Sequence, residues 1–316
     1  MEAKAGSKRG GSATLGKEGD AVTPTTLTQG LYIVATPIGN ARDITLRAMD
    51  VLTAADVLVA EDTRVTAKLL AIHGIERRGR PFLAYHDRNG AHMRPKILAR
   101  VAAGEALAYC SDAGTPLIAD PGYRLVAEAQ EMGLPVMAVP GTSAVTAALA
   151  VAGLPTDRFL FLGFLPAKSG PRRTALAEIA SVRATLVLFE SPRRLPATLV
   201  DLCDVLGVDR QAAVLRELTK RYEEIRRGSL ETLAADFAGD EPIKGEIALV
   251  IAPASRDAVR EADPGALDAA LTRRMAEQSV KDAARLVSAE FGLPRKQVYE
   301  RALRLRDQRR EKTGDS

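Results

Sequence analysis

The sequence predicts a two-domain α/β protein with a small helical extension at its C-terminus. Short apolar runs alternate with helically spaced stretches from Leu31 onward, a pattern typical of a mostly parallel sheet covered on both faces. The chain has 316 residues, which exceeds the usual size of a single core. Beyond residue 264 the apolar spacing is helical only, so this last part is predicted to contain three helices and no strand.

The first domain is predicted from five continuous apolar runs that end in Gly or Pro turns. These strands cover residues 31–35, 57–60, 82–85, 106–110 and 136–139. Helical spacing predicts helices over residues 44–54, 63–73, 94–103, 123–132 and 142–151. Asp43 is the predicted N-cap of the first helix, and either Thr142 or Ser143 that of the last, because short polar side chains accept hydrogen bonds from first-turn amides.

The second domain begins after a boundary near residues 153–156 and repeats the alternation. Its predicted strands are residues 159–164, 185–189, 212–215 and 246–251, with an exposed edge strand at 222–227. Helices are predicted at 172–180, 195–206 and 230–237, and antiparallel strand neighbours are expected. The predicted division is a disordered tail (1–29), two α/β domains (30–153 and 154–255) and a helical extension (263–309).

The helical extension carries its own local signals. Ser279 with Asp282 three residues later is close to a capping box. The turn Gly292-Leu293-Pro294 separates the last two helices, a spacing compatible with a helix-turn-helix.

The composition excludes several classes of protein. Hydrophobic residues make up 46%, which excludes wholesale disorder, and the net charge of +4 permits an RNA partner without requiring one. The two cysteines and three histidines match neither a disulfide framework nor a zinc pattern. Without an apolar run long enough for a bilayer or a secretory signal, we expect a soluble, cytoplasmic protein with no metal.

Three strand-ending loops of the first domain are rich in Gly, Pro and small polar residues. They are residues 36–40, 111–116 and 140–144. In open α/β sheets, ligands bind beyond the carboxyl ends of the strands, and glycine allows the backbone to approach a ligand closely. Each loop alone is equally well explained as a simple turn. The dinucleotide, P-loop and nucleophile-elbow motifs are missing from the sequence.

Charged residues also follow several strands. Asp62 lies beside Arg64, and this carboxylate is predicted either to orient or deprotonate a hydroxyl or to cap a helix. In the second domain Glu217 precedes Lys220 in a similar position. A ribose-phosphate substrate needs basic side chains, which otherwise form ordinary ion pairs. The basic candidates are Lys168, Arg172, Arg173, Arg193, Arg194 and Lys220.

These loops, in this order, resemble the tetrapyrrole-methylase superfamily over residues 31–253. Among its members, the sequence is most similar to the branch that methylates a ribose 2′-hydroxyl of small-subunit ribosomal RNA. The stretches that carry the resemblance are Ala35-Thr36-Pro37-Ile38-Gly39-Asn40, Asp43-Ile44-Thr45, Ala60-Glu61-Asp62-Thr63-Arg64, Ser111-Asp112-Ala113-Gly114-Thr115-Pro116, Asp120-Pro121-Gly122, Pro140-Gly141-Thr142-Ser143-Ala144, Gly163-Phe164-Leu165-Pro166, Phe189-Glu190-Ser191-Pro192, Arg216-Glu217-Leu218-Thr219-Lys220 and Gly245-Glu246.

The resemblance implies that S-adenosyl-L-methionine lies in a cleft between the two α/β domains. The expected cofactor-binding residues are Pro37, Gly39, Ser111, Asp112, Ala113, Gly114, Pro116, Thr142, Ser143, Ala144, Leu162, Gly245 and Glu246. The expected catalytic residues are Asp62 as the first candidate base, Arg64 as its orienting partner and Glu217 as the second candidate. The implied substrate is a cytidine in the decoding region of 16S ribosomal RNA, and a homodimer is expected.

Two alternatives remain open from the sequence. One is a C-methylase of a tetrapyrrole precursor, but such methylases usually end the first loop in Asp, whereas this loop ends in Asn40. The other is a non-catalytic nucleic-acid-binding protein that acts through residues 265–309. The cofactor-type loops argue against this second alternative.

Overall fold

The computed structural model describes residues 26–239, 242–254, 264–276, 278–291 and 295–313. The predicted disordered tail lies outside the described residues up to residue 25, and so does the turn Gly292-Leu293-Pro294. At the end of the predicted tail, Leu27 packs against buried apolar residues of the first domain. Gln29 Nε2 donates to the carbonyl of Val101 at 2.9 Å. Contacts with the first domain are thus made a few residues before Leu31, where order was expected to start.

The first sheet contains five strands whose neighbouring pairs are all parallel. They are β1 (Gly30–Val34), β2 (Val57–Ala60), β3 (Phe82–Ala84), β4 (Ala106–Cys110) and β5 (Val136–Val139). The spatial order is β3-β2-β4-β1-β5. All carboxyl ends of these strands consequently meet at one edge of the sheet.

Five helices follow the strands of this sheet, and the first four of them bury its two faces in separate cores. They are α1 (Leu46–Ala54), α2 (Thr63–Ile72), α3 (Gly90–Ala102), α4 (Tyr123–Glu131) and α5 (Ala144–Ala152). Successive strand residues point to opposite faces. Accordingly Leu58 packs with α1 and α2, whereas its neighbour Val57 packs with α3 and α4. This explains why the strands are apolar at every position.

The second sheet is mixed, as the sequence predicted. It contains β6 (Phe159–Phe164), β7 (Thr185–Glu190), β8 (Gln211–Arg216), β9 (Glu224–Ser229) and β10 (Ile247–Ile251). The order is β6-β7-β10-β8-β9, with β6 parallel to β7 and the other pairs antiparallel. One face is covered by α6 (Ser169–Ile179), α7 (Leu195–Leu206) and α8 (Leu230–Asp236).

Helix α5 joins the two sheets. It follows the last strand of the first sheet, but it packs against the open face of the second. Val145 and Leu149 of α5 share a core with Leu215 and Val250, and Ile38 and Leu218 extend this core toward the loops. Helix α5 and the second sheet thus share an apolar core, which the loops after β1 and β8 extend.

The C-terminal extension forms three helices, as predicted. They are α9 (Pro264–Met275), α10 (Val280–Phe291) and α11 (Arg295–Thr313), and they pack around a small core of their own. The predicted cap is confirmed, because Ser279 Oγ accepts from Asp282 N at 3.1 Å and donates to its carboxylate at 2.6 Å. Among the described residues, no helix is long and apolar enough to cross a membrane.

The predicted cap of α1 is wrong, and that of α5 is confirmed in position at Ser143 but lacks the expected side-chain hydrogen bond. Helix α1 is capped by Thr45, whose hydroxyl accepts from Ala48 N at 3.1 Å, while Asp43 lies in a preceding 3₁₀ turn (Ala41–Asp43). At α5 the hydroxyl of Thr142 donates instead to the carbonyl of Thr36, and Ser143 occupies the N-cap position without a side-chain hydrogen bond. Helix α1 is capped by Thr45, the polar residue two positions after Asp43. At α5 the Thr142 hydroxyl bonds to Thr36, a tertiary neighbour, and is not available as a cap.

Candidate active site

The three small-residue loops of the first domain meet at the carboxyl edge of the first sheet. Thr36 and Gly114 exchange both backbone hydrogen bonds, at 2.8 and 2.9 Å. Thr115 Oγ1 donates to the carbonyl of Thr142 at 2.9 Å, and the Thr142 hydroxyl donates to the carbonyl of Thr36. Because β1 lies between β4 and β5, these loops are neighbours in space and lock one another in place.

Asp62 and Arg64 follow β2 at the same edge. The Asp62 carboxylate caps α2 by accepting from Arg64 N at 2.8 Å, and it also pairs with the Arg64 guanidinium at 2.5 Å. These hydrogen bonds with Arg64 lower the pKa of Asp62 to about 2. The backbone N–H of Asp62 donates to Asp112 Oδ1 at 2.9 Å, which ties the end of β2 to the loop after β4. The interpretation of Asp62 as a helix cap is confirmed, whereas its action on a hydroxyl stays a prediction.

Three further carboxylates at this edge have the opposite electrostatic behaviour. Burial raises the pKa of Asp120 to about 6, with a smaller contribution from the negative charge of Asp112. Partial desolvation is also the main cause of the raised pKa values of half-buried Glu61 and of Asp112, although the Asp112 side chain is still exposed. Neutral or partly protonated carboxylates near an ionised one are typical of sites that move protons.

The loop that carries Asp120 is held in an unusual conformation. Leu117 and Ala119 have left-handed backbones, with φ of 74° and 62°, each costing on the order of 1–3 kcal/mol. The Tyr109 hydroxyl donates to the carbonyl of Pro121 at 2.9 Å and anchors the far end. Sequence reasoning quoted Asp120 as part of a motif but gave it no role, because its burial depends on this loop conformation.

In the second domain Glu217, Lys220 and Glu246 form one compact cluster. Lys220 Nζ donates to Glu217 Oε1 at 2.8 Å and to Glu246 Oε2 at 3.0 Å. Glu217 N donates to the carbonyl of Glu246, and Glu246 N donates to Glu217 Oε1, both at 2.9 Å. The hydrogen bond from Lys220 is the main cause of the lowered pKa of Glu217.

This cluster touches the first domain through Gly39. A side chain at Gly39 would lie 2.5 Å from Lys220 Cγ and 2.6 Å from Thr219 Oγ1. Asn40 N also donates to Thr219 Oγ1 at 3.1 Å. The loops of residues 36–40 and 217–220 therefore meet across the boundary between the two sheets. Thr219 was missed from the sequence because only its position in space reveals the contact.

The predicted RNA-binding residues differ in their accessibility. Lys168 and Arg193 are exposed after β6 and β7, and Arg173 is half-exposed and pairs with Asp204 at 2.5 Å. The prediction for Arg172 is wrong: its side chain is 3% exposed and pairs with buried Asp201 at 2.6 Å. Arg194 pairs with buried Glu190 and donates to the carbonyl of Leu165.

The remaining predicted positions add little chemistry. The side chain of Leu162 packs into the core under α6 and α7, so only its backbone is available to a ligand between the domains. Ser111 and Pro116 are buried, whereas Asp112 and Ala113 are exposed. Among the described residues, no group of three or more His, Cys, Asp or Glu side chains is arranged to hold a metal ion.

The fold and its interlocked loops define a methylase of the two-domain α/β class. The family model described as tetrapyrrole (corrin/porphyrin) methylases matches residues 30–234, and the one described as RsmI C-terminal HTH domain matches residues 261–306. Among solved structures, cobalt precorrin-4 methyltransferase shares the fold with a TM-score of 0.53 at 22% identity, over 70% of this chain and 93% of that one. Diphthine synthase shares it with a TM-score of 0.52 at 18% identity, over 70% and 89%.

Relatives in sequence narrow the class to one family. A protein of Mesorhizobium japonicum named ribosomal RNA small subunit methyltransferase I is 47% identical over 277 residues, covering 88% of this chain and 92% of the relative. A protein of the same name from Escherichia coli O157:H7 is 43% identical and covers 86% and 94%. The chain belongs to the ribosomal RNA small subunit methyltransferase I family of tetrapyrrole methylases. It is therefore a methyltransferase that uses S-adenosyl-L-methionine.

The residues present are chemically suited to this methyl donor. S-adenosylmethionine carries a carboxylate, an ammonium and a sulfonium group. Helix α5 begins without a side-chain cap at Ser143, so first-turn amides that face the loops remain suited to a carboxylate. The loops opposite offer carboxylates, among them exposed Asp112 and Glu246, which suit positive groups. Donors and acceptors of both kinds thus lie along the loops that border the two sheets.

Proposed function

We propose that this enzyme methylates the 2′-hydroxyl of a cytidine ribose in the decoding region of 16S ribosomal RNA. The observation that carries the proposal is the similarity, over nearly the whole chain, to relatives named for the methylation of small-subunit ribosomal RNA. The substrate is the RNA of the small ribosomal subunit, the enzyme acts in the cytoplasm, and it works as a homodimer.

The cofactor is held by the loops of both domains. The proposed contacts are Pro37, Gly39, Ser111, Asp112, Ala113, Gly114, Pro116, Thr142, Ser143, Ala144, Leu162, Gly245 and Glu246. The bound cofactor supplies an activated methyl group, so most of the catalysis consists of positioning the acceptor hydroxyl. The mutual hydrogen bonds of the first three loops support this proposal, because they hold the cradle rigid before a ligand arrives.

The 2′-hydroxyl must lose its proton when the methyl group is transferred, and a carboxylate is the proposed acceptor. Asp62 with Arg64, and Glu217, are the two candidates from the sequence. Both carboxylates are ionised at neutral pH, but their cationic partners lower their pKa values and so make them weak bases. Asp120 is a third candidate, since a base works best when its pKa lies near the working pH.

The exposed basic side chains near the second-domain edge are the proposed phosphate contacts. Lys168, Arg173 and Arg193 keep their cationic groups at the surface. Phosphate contacts of this kind fix the register of an RNA but do not read its sequence. Arg194 is a weaker candidate because its guanidinium already has protein partners.

The alternative substrate, a tetrapyrrole precursor, is disfavoured at Asn40. Its side-chain oxygen accepts a hydrogen bond from Arg42 N at 3.1 Å, so this side chain serves the local turn. An amide at this position has no carboxylate to act as a base, unlike the usual first loop of tetrapyrrole methylases.

The decisive experiment measures methyl transfer from radiolabelled S-adenosylmethionine to three acceptors. These are unmodified small ribosomal subunits, naked 16S RNA and a porphyrinoid, and the RNA product is mapped by mass spectrometry. We expect one 2′-O-methylcytidine in the decoding region. Label in the porphyrinoid and none in either RNA would refute the proposal.

The role of Asp62 is tested with Asp62→Ala. Turnover should fall while the affinity for S-adenosylhomocysteine, measured by calorimetry, stays unchanged, because Asp62 is proposed to act on the acceptor. Arg64→Ala should also lower turnover, because Arg64 is proposed to orient the Asp62 carboxylate. If turnover is unchanged in Asp62→Ala, this residue has no part in the reaction.

A further inference from the structure

Hydrogen bonds connect Lys220 to both Glu217 and Glu246, and connect Glu217 to Glu246. The Lys220 ammonium bridges the two carboxylates, and the backbones of Glu217 and Glu246 bond to each other. Gly245 makes room for this arrangement, since a side chain there would collide with the Glu217 carboxylate. The cluster links the end of β8 to the start of β10.

The loop that carries Lys220 has an unfavourable backbone, which the surrounding contacts must hold. Glu217 and Thr219 have left-handed conformations, with φ of 54° and 62°. Between them, Leu218 inserts into the core shared by the two sheets, close to Ile38 from the first domain. The position of Lys220 is thus set on one side by the apolar core and on the other by two carboxylates.

The charge of the cluster is wrong for a phosphate contact. One ammonium against two carboxylates leaves a net negative charge, and the Lys220 side chain is 27% exposed. A phosphate approaching Lys220 would meet both carboxylates. By contrast, Lys168 and Arg193 are exposed at the surface.

The stem of Lys220 also touches the first domain. Its Cγ occupies the space that a side chain at Gly39 would need, and the adjacent Thr219 hydroxyl accepts from Asn40 N. The same residue therefore contacts a proposed cofactor loop of the first domain and holds two carboxylates of the second.

We infer that Lys220 is a positioning residue: it clamps Glu217 and Glu246 against the loop of residues 36–40 and so fixes the cofactor cleft between the two domains. Lys220 acts on the cofactor through these carboxylates and the loop contact, in place of the phosphate contact that the sequence suggested. The assignment depends on cofactor binding and is independent of which RNA nucleotide is methylated.

The test compares Lys220→Met, which keeps the stem and removes the charge, with Lys220→Arg, which keeps the charge. Calorimetry with S-adenosylhomocysteine should show about tenfold weaker binding for Lys220→Met, as expected when a charge-assisted contact is lost. Lys220→Arg should recover most of the affinity. Lys281→Met on α10, an exposed lysine outside both sheets, is the matched control and should bind as the parent does.

Two further measurements keep the inference falsifiable. In Lys220→Met at a temperature well below its Tm, titration of Glu217 by carbon NMR should show the pKa of this carboxyl rising toward its ordinary value. Thr219→Val removes the hydroxyl that accepts from Asn40 N and leaves the charges of the cluster in place. It should also weaken the binding of S-adenosylhomocysteine. This variant serves as the test if Lys220→Met does not fold. Unchanged affinity in a folded Lys220→Met would overturn the inference, and so would unchanged affinity in Thr219→Val if Lys220→Met does not fold.

Failure of the clamp and failure of the enzyme assignment give different results. If the parent protein itself shows no binding of S-adenosylhomocysteine, the cofactor assignment fails. If the parent binds and Lys220→Met binds equally well, only the role of Lys220 is refuted.

Discussion

The carboxyl groups at the edge of the first sheet differ in pKa because of their immediate neighbours. Asp62 faces the guanidinium of Arg64 and remains ionised, whereas Asp120 is half-buried beside Asp112 and resists ionisation. Asp62 follows β2, and Asp120 lies in the connection between β4 and α4 at the same edge of the sheet. A pair of carboxyl groups separated in this way is what proton transfer near neutral pH requires.

Asp120 should make the stability of the protein depend on pH. Its pKa is about 6 in the folded protein against an ordinary value of 3.8, so between these values the folded state retains a proton that the unfolded chain has lost. Stability should therefore decrease as pH rises through this interval. In Asp120→Asn this decrease should vanish, so the variant should have a higher Tm than the parent at pH 7.5 and a similar Tm near pH 4.

The pH dependence of turnover should also report the ionisation of Asp120. If Asp120 accepts the proton, parent activity should rise through about pH 6 with its ionisation, and Asp120→Asn should lose this rise together with most of its turnover. Parallel Tm profiles for the variant and the parent would show that Asp120 does not titrate in this range.

Helices α6 and α7 are held together by a buried ion pair. Arg172 on α6 and Asp201 on α7 are 3% and 5% exposed, and Ser169 Oγ donates to the same carboxylate at 2.8 Å. Basic residues are assigned to the surface by default, so the sequence predicted an RNA contact here. Asp201 lies far from Arg172 along the chain, and only the packing of the two helices brings them together.

Breaking this pair should destabilise the second domain. Arg172→Met leaves Asp201 buried without its main partner, which costs about 3 kcal/mol or more in the free energy of unfolding. The double variant Arg172→Met/Asp201→Leu should recover much of the loss, because neither charge remains. Urea unfolding measures both effects, and Arg173→Met, which removes an exposed partner of Asp204, should cost less than about 1 kcal/mol. Equal losses in Arg172→Met and Arg173→Met would contradict this account.

The strands and helices were largely predictable because their signals are local. The apolar run 106–110 and the turn after it locate β4, and the parallel order then brings its loop beside residues 36–40. The hydroxyl of Thr142, the pairing of Lys220 and the burial of Arg172 were not predictable. Thr142, Arg172 and the contact of Lys220 with Glu246 each depend on a partner at least 26 residues away, which has no trace in local spacing, whereas the contact of Lys220 with Glu217 spans three residues.

The whole molecule contains two sheets and a separate helical group. The predicted boundaries, 30–153, 154–255 and 263–309, remain predictions. Limited proteolysis with mass analysis should cut first between residues 254 and 264 and release the helical extension, since α9, α10 and α11 have a core of their own. Cutting near residues 153–156 should be much slower, because α5 is packed on the second sheet. An early cut there would contradict the shared core.

The position of α5 also limits how the enzyme exchanges its ligands. A hinge motion between the two halves would have to pull Val145 and Leu149 away from the strands of the second sheet. It would expose their apolar surface to water, which is unfavourable. Substrate entry and product release should therefore rely on local movements of the surface loops, while the two halves move together as one rigid body. Methylation in this protein would then be governed by loop dynamics rather than by domain closure.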